Sequence, residues 1–150
     1  KQKFDIKKID SIAGGETAGI PFASFLAENL NLPMIYIRKE KKKFGRNSQI
    51  EGLIRKSEKI LLVEDLMTDG GSKLNFLDAV DRTGAKTKAI FVIFNYGIIK
   101  KHFRFKKKNI DVIYLTSWKY ILEAAFKKKI LSINEIKIIE KFLEDLGVKN

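Results

Sequence analysis

From Lys59 to Phe76 the chain reads KILLVEDLMTDGGSKLNF. Ile60, Leu61, Leu62 and Val63 are apolar without alternation. A strand of that kind needs cover on both faces, which places it inside a parallel sheet rather than on a half-wet antiparallel one. The run ends on two adjacent carboxylates, Glu64 and Asp65. It then passes through Thr68, Asp69, Gly70 and Gly71 into Ser72 and a segment of helical period. Like charges at the tip of a core strand cost folding free energy unless something binds them, so this tip is where chemistry is expected.

The flanking sequence repeats the same alternation of buried strand and amphipathic helix. Ile9 to Ala13 reads as a buried strand feeding a Gly14-Gly15 loop. Thr17 to Asn31 carries Ile20, Phe22, Ala23, Leu26, Ala27 and Leu30 at helical spacing, with Asn31 and Pro33 stopping the helix. Met34 to Ile37 is the next strand, and Arg38 to Gln49 is a polar, basic, aperiodic loop. Lys59 to Val63 is the third strand; Gly71 to about Arg82 is a helix with Leu74, Phe76, Leu77 and Val80 facing inward. Ala89 to Phe94 and Ile110 to Leu115 are further strands, joined through a solvated connection, KKHFRFKKKN. Ser117 caps a helix ending near Lys129. Ser132 caps a last helix, whose Ile133, Ile136, Ile139, Phe142, Leu143 and Leu146 form one stripe. The expected fold is α/β: a doubly wound, mostly parallel sheet with helices on both faces, in one domain over residues 1–150.

Composition narrows the function. The net charge of +12 comes from 25 Lys against 5 Arg, spread over helices and loops alike. Phosphate recognition favours the forked Arg, and the aromatic residues sit among aliphatics at core spacing. Nucleic acid is therefore not the expected partner. No apolar run reaches the ~20 residues that span a bilayer, so no membrane role is expected. The absence of cysteine removes disulfides, thiolate zinc sites and thiol catalysis. The single histidine, His102, lies in a basic run and reads as a surface residue. The first ten residues, KQKFDIKKID, hold no apolar signal-peptide core, so the expectation is a cytoplasmic protein. The early first strand leads to a further expectation, that an N-terminal segment precedes Lys1.

In doubly wound sheets, ligands bind beyond the carboxyl ends of the strands. Three loops lie there: AGGETAG, the basic loop with Arg38, Lys39, Lys41, Lys42 and Lys43, and EDLMTDGGS. Gly70 and Gly71 let backbone amides converge where Ser72 opens a helix, which makes a phosphate cradle. Glu64 and Asp65 suit vicinal hydroxyls or a divalent cation. A phosphate beside a diol describes a ribose 5-phosphate; the plainer alternative is a helix cap with acids on its dipole. The basic loop is either a lid that brings cations to an anionic ligand or a solvated charge run. Gly14-x-x-x-x-Gly19 continues as Ile20-Pro21, so it is not a Walker A loop, and no GxGxxG is present.

VEDLMTDGGS resembles the phosphoribosyl pyrophosphate motif of the type I phosphoribosyltransferases. With AGGETAGIP and IYIRKEKKKFGRNSQIEG before it, the chain is similar to the orotate branch of that family from about Asp10 onward. The resemblance implies a transferase that moves phosphoribosyl from phosphoribosyl pyrophosphate to orotate in pyrimidine biosynthesis. It implies that Glu64 and Asp65 bind the ribose hydroxyls, that Thr68, Asp69, Gly70, Gly71 and Ser72 wrap the 5-phosphate, and that Leu66 and Met67 also belong to the phosphoribosyl pyrophosphate site. Gly15 to Ala18, with Thr17 and Ala18 foremost, would face the pyrophosphate. Thr68 and Tyr96 would lie near orotate. Arg38, Lys39 and Lys42 correspond to lid residues that reach pyrophosphate, partly across a homodimer, with Lys42 and Asp65 as the catalytic pair. Mg²⁺ would be held mainly by the substrate's phosphates and ribose, near Glu64 and Asp65. The chain departs from the usual pattern at Phe44, Thr17-Ala18 and Tyr96, and base selection would involve an N-terminal hood. Transfer to another base, or donor binding by a non-catalytic regulator, remain the alternatives.

Overall fold

The structure is a computed structural model that describes residues 4–41, 48–98, 105 and 107–148. Its sheet has six strands: β1 (Ser11–Gly15), β2 (Met34–Ile37), β3 (Ile50–Glu51), β4 (Lys59–Met67), β5 (Lys86–Asn95) and β6 (Asp111–Ser117). Their order is β3-β2-β1-β4-β5-β6. All pairings are parallel except β2 with β3, which is antiparallel. The α-helices named among the described residues are α1 (Gly19–Leu30), α2 (Gly71–Asp81), α3 (Trp118–Lys127) and α4 (Ile133–Asp145).

The unbroken apolar run of β4 is divided between two cores. Ile60 and Leu62 point to one face, where Phe76, Leu77 and Val80 of α2 cover them. Leu61 and Val63 point to the other, against Ala23 and Ala27 of α1. Helices on both faces are what a strand without alternation requires. A third cluster, Leu122, Leu143 and Val148, joins α3 to α4. Asn31 ends α1 in a left-handed conformation at φ 52°, as expected from Asn31 and Pro33. Ser132 caps α4 through a reciprocal box with Glu135.

Six local expectations are corrected. Gly14 and Gly15 belong to β1 rather than to a loop, because α1 packs so close that a Cβ on Gly14 would lie 2.8 Å from Ile20 Cα. α1 accordingly starts at Gly19, after a turn, rather than at Thr17. β4 continues through Glu64, Asp65, Leu66 and Met67, paired with β5 as far as Met67 with Asn95, so both acids are strand residues. Ser117 stands at the start of α3 without a side-chain capping bond. Within the basic connection Phe105 is not solvated: it is 1% exposed and packs against Gly70, while Lys108 pairs with Asp78 and Asp81 of α2. The short edge strand β3 closes the stretch expected to remain loop, held where Arg38 N–H donates to the Gln49 carbonyl at 2.8 Å.

Candidate active site

At the carboxyl end of β1 and β4 lies a cavity of about 400 Å³. The turn before α1 contributes Glu16, Thr17 and Ala18, and Lys39 enters from the end of β2. β4 supplies Glu64, Asp65 and Leu66, the following turn Thr68, and α2 Ser72, Lys73 and Phe76. Eight residues singled out from the sequence thus meet around one space: Thr17, Ala18, Lys39, Glu64, Asp65, Leu66, Thr68 and Ser72.

The turn into α2 forms one wall of the cavity. Gly70 has φ 79°, a left-handed conformation that glycine adopts without strain, and a side chain there would strike Phe105. Asp69 Oδ1 accepts the Gly71 N–H at 2.9 Å and fixes the turn. Ser72 and Thr68 put hydroxyls on the cavity wall beside the positive end of the α2 dipole.

The two carboxylates differ. Asp65 is half-buried at the rim, whereas Glu64 is 5% exposed. Burial pushes the Glu64 carboxyl above its usual range, and the ammonium of Lys73 opposes that shift. Lys73 Nζ sits 2.6 Å from Glu64 Oε2 and 3.3 Å from Ser72 Oγ. Sequence reasoning did not single out Lys73. Its signal was its place in a buried helical series with Phe76, Leu77 and Val80, where a cation has no business without a partner.

A neighbouring cavity, also about 400 Å³, is lined by Glu16, Thr17, Arg38, Lys39, Glu40 and Lys41. Arg38 is braced there. Its Nε and Nη2 donate to Glu51 Oε1 at 3.2 and 3.1 Å, its Nη2 reaches the Tyr36 hydroxyl at 2.7 Å, and its guanidinium lies over the Tyr36 ring. The bond to Glu51 raises its already high pKa. Glu16 Oε2 accepts the Lys39 N–H at 2.8 Å, and Asn75 of α2 donates to the Lys39 carbonyl at 2.7 Å, so the start of the basic loop is tied to the turn before α1 and to α2.

The remaining expected residues lie elsewhere. Met67 is wholly buried in the core, and its carbonyl accepts the Tyr96 N–H at 2.9 Å. Tyr96 stands in an edge-on aromatic cluster with Phe94 and Trp118, at centroid distances of 5.2 and 5.6 Å, and does not line the cavity. Lys42, Lys43, Phe44 and His102 fall outside the described residues. Among the described residues no three His, Cys, Asp or Glu side chains gather as a metal cage. No helix among them is long and apolar enough to cross a membrane.

A family model described as a phosphoribosyl transferase domain matches residues 1–124. The orotate phosphoribosyltransferase of Ruegeria sp. (strain TM1040) is 47% identical over 137 residues, covering 91% of this chain and 61% of that protein. The chain thus spans about three fifths of the length of the curated relatives it matches. The crystal structure of orotate phosphoribosyltransferase from Aeropyrum pernix superposes with a TM-score of 0.68 at 27% identity, over 77% of this chain and 64% of that one. UMP synthase of Leishmania donovani gives 0.75 at 23% identity, over 91% of this chain and 29% of that one, a likeness of fold.

Proposed function

The chain belongs to the phosphoribosyl transferase domain family, and on that premise we propose that it is the donor-binding and catalytic core of an orotate phosphoribosyltransferase. The observation that carries the reading is the single cavity where the acids of β4, the glycine turn of α2 and the turn before α1 converge. The 47% identical relative named for this activity supports the choice of orotate.

In this reading the 5-phosphate of phosphoribosyl pyrophosphate sits over the Gly70–Ser72 turn, where amides, two hydroxyls and the helix dipole meet it. The ribose diol faces Asp65 and Glu64, and the pyrophosphate faces Thr17, Ala18 and Lys39. The anionic orotate nitrogen forms a bond to the anomeric carbon while the carbon–oxygen bond to pyrophosphate breaks, and the electron pair leaves with pyrophosphate. Orotate arrives deprotonated, so no protein base has a proton to take. The protein positions the two partners and stabilises the departing charge with Arg38, Lys39 and Lys42. Asp65 and Glu64, with the substrate's phosphates, would hold Mg²⁺, which would supply charge neutralisation at pyrophosphate when bound. The reading includes a cytoplasmic homodimer, with Phe22 and Phe25 of α1, 40% and 71% exposed, as apolar surface for a second copy.

The test is loss of orotate absorbance when phosphoribosyl pyrophosphate and Mg²⁺ are added to the full-length protein. Consumption of orotate with stoichiometric release of pyrophosphate is expected. Turnover of a purine with orotate untouched would replace orotate by another base, and donor binding without turnover of any base would leave a sensor.

A further inference from the structure

Lys73 is in an expensive place. It is 6% exposed, and it is the third residue of α2, in the helix turn that already carries partial positive charge. Desolvation and the dipole both act against an ammonium there. Its ion pair with Glu64 is buried on both sides, at 8% and 7% side-chain exposure. A pair of this kind roughly breaks even against an apolar pair of the same shape, so stability alone does not account for it.

The geometry around the pair is more specific than a core needs. Glu64 Oε2 is bound by Lys73, and Glu64 Oε1 lies against Gly15 and Gly19, where a side chain at either glycine would overlap it. The same ammonium reaches Ser72 Oγ. Lys73 therefore ties the acid at the sugar end of the cavity to the hydroxyl at the phosphate end. The charged groups acting on Glu64 come from three elements: Lys73 on α2, Asp65 beside it on β4, and Lys39 after β2. Of these, Lys73 alone is in contact distance.

We propose that Lys73 is a positioning residue of the ribose 5-phosphate site, its ammonium holding Glu64 and Ser72 at the separation that the sugar diol and the 5-phosphate need. This rests on the reading of the cavity as a phosphoribosyl pyrophosphate site. Lys73 acts through Glu64 and Ser72, so its loss is felt by ligands that carry the sugar phosphate and not by inorganic pyrophosphate, which binds toward Thr17 and Lys39.

Calorimetry with phosphoribosyl pyrophosphate, ribose 5-phosphate and inorganic pyrophosphate, each with Mg²⁺, tests this on the wild type, Lys73→Met, Glu64→Gln and the double variant. Each single change is expected to weaken ribose 5-phosphate and phosphoribosyl pyrophosphate at least tenfold, with pyrophosphate changed less than twofold. The double variant, which leaves no buried charge unpaired, is expected to bind no more than about twofold worse than either single one. If Lys73→Met does not fold, Glu64→Gln against the double variant still reads the coupling. Equal loss for all three ligands, or full additivity, would make Lys73 a structural residue and overturn the proposal. A wild type that binds none of them would overturn the cavity assignment itself, whereas normal sugar-phosphate binding by Lys73→Met would overturn the role of Lys73 alone.

Discussion

Gly15 on β1 leaves the space that the Glu64 carboxylate on β4 fills: a Cβ at position 15 would overlap Glu64 Oε1 and lie 2.8 Å from Phe76 Cε2. Two parallel neighbours of the sheet thus cooperate, one by lacking a side chain and the other by burying a charged one. Gly15→Ala must push the carboxylate off Lys73. Forced overpacking of this kind costs about 1–3 kcal/mol. The expected outcome is a lowered melting temperature together with donor affinity reduced about tenfold or more, a factor equal to ~1.4 kcal/mol. Calorimetric titration with phosphoribosyl pyrophosphate checks it, and unchanged affinity would show that Glu64 does not take part in binding.

Glu64→Gln removes the charge that balances a buried ammonium. Breaking a buried pair by deleting one partner destabilises by about 3–5 kcal/mol, and the penalty is the stranded charge of Lys73 rather than the lost bond. Adding Lys73→Met is therefore expected to recover most of the stability lost. Urea unfolding of the wild type, the single variant and the double variant measures both steps. A double variant less stable than the single one would contradict the account.

How much of this was legible in the sequence follows from the same residues. The run Ile60 to Val63 announced a strand covered on both faces, and the two cores that receive its alternate side chains are the reason. The glycine turn and the acids were legible because no core strand gains from them. Lys73 was not, since the pattern that marks buried helix positions was read only for apolar residues. Phe105 was hidden by the lysines around it, although an aromatic side chain amid solvated charges has a reason to seek a core. β3 is two residues long, too short to leave any periodicity. Charge at Glu64 and Asp65 reads as the end of a strand, whereas β4 runs on through both because Lys73 pairs with the buried Glu64.

Arg38 lines the neighbouring cavity from a braced position, and on the proposed reading it serves the pyrophosphate from there. Two bonds to Glu51 and one to the Tyr36 hydroxyl use the planar fork that a lysine lacks. Arg38→Lys keeps the charge and loses the brace, so pyrophosphate affinity is expected to fall by more than tenfold, as follows from the ~1.5–3 kcal/mol attached to charged hydrogen bonds. Glu51→Gln is expected to give a smaller loss in the same direction. Inhibition by pyrophosphate at two salt concentrations reads both; an Arg38→Lys protein that binds as the wild type does would remove Arg38 from the site.

α4 carries its own pH dependence. Ser132 Oγ and its backbone N–H both bond the Glu135 carboxylate, which holds its pKa below the usual 4.5. A carboxyl lowered in the folded state contributes stability that is complete above that ordinary value and is lost as pH falls through the folded one. Ser132→Ala is expected to cost about 1 kcal/mol at neutral pH. The gap between the two proteins should shrink as the pH is lowered below 4.5. Thermal unfolding followed by circular dichroism across that range measures it, and a gap constant with pH would mean that the carboxylate does not contribute to the cap.

Trp118 is the only tryptophan of the chain, and it stands edge-on to Tyr96 at 5.6 Å and to Phe94 at 5.4 Å. Tyr96 occupies the place where the family resemblance expects a contact to orotate, at the end of β5 and anchored to the Met67 carbonyl of β4. A base that docks against Tyr96 changes the environment of the indole without touching it, because edge-to-face rings respond to small shifts in their neighbours. Orotate added to the donor complex is therefore expected to change the Trp118 emission, and Tyr96→Ala to abolish that change while leaving donor affinity within about twofold, since Tyr96 does not line the donor cavity. Emission that responds equally in Tyr96→Ala would place the base away from this cluster, and emission that responds to the donor alone would mean that the cluster reports closure of the phosphate turn instead.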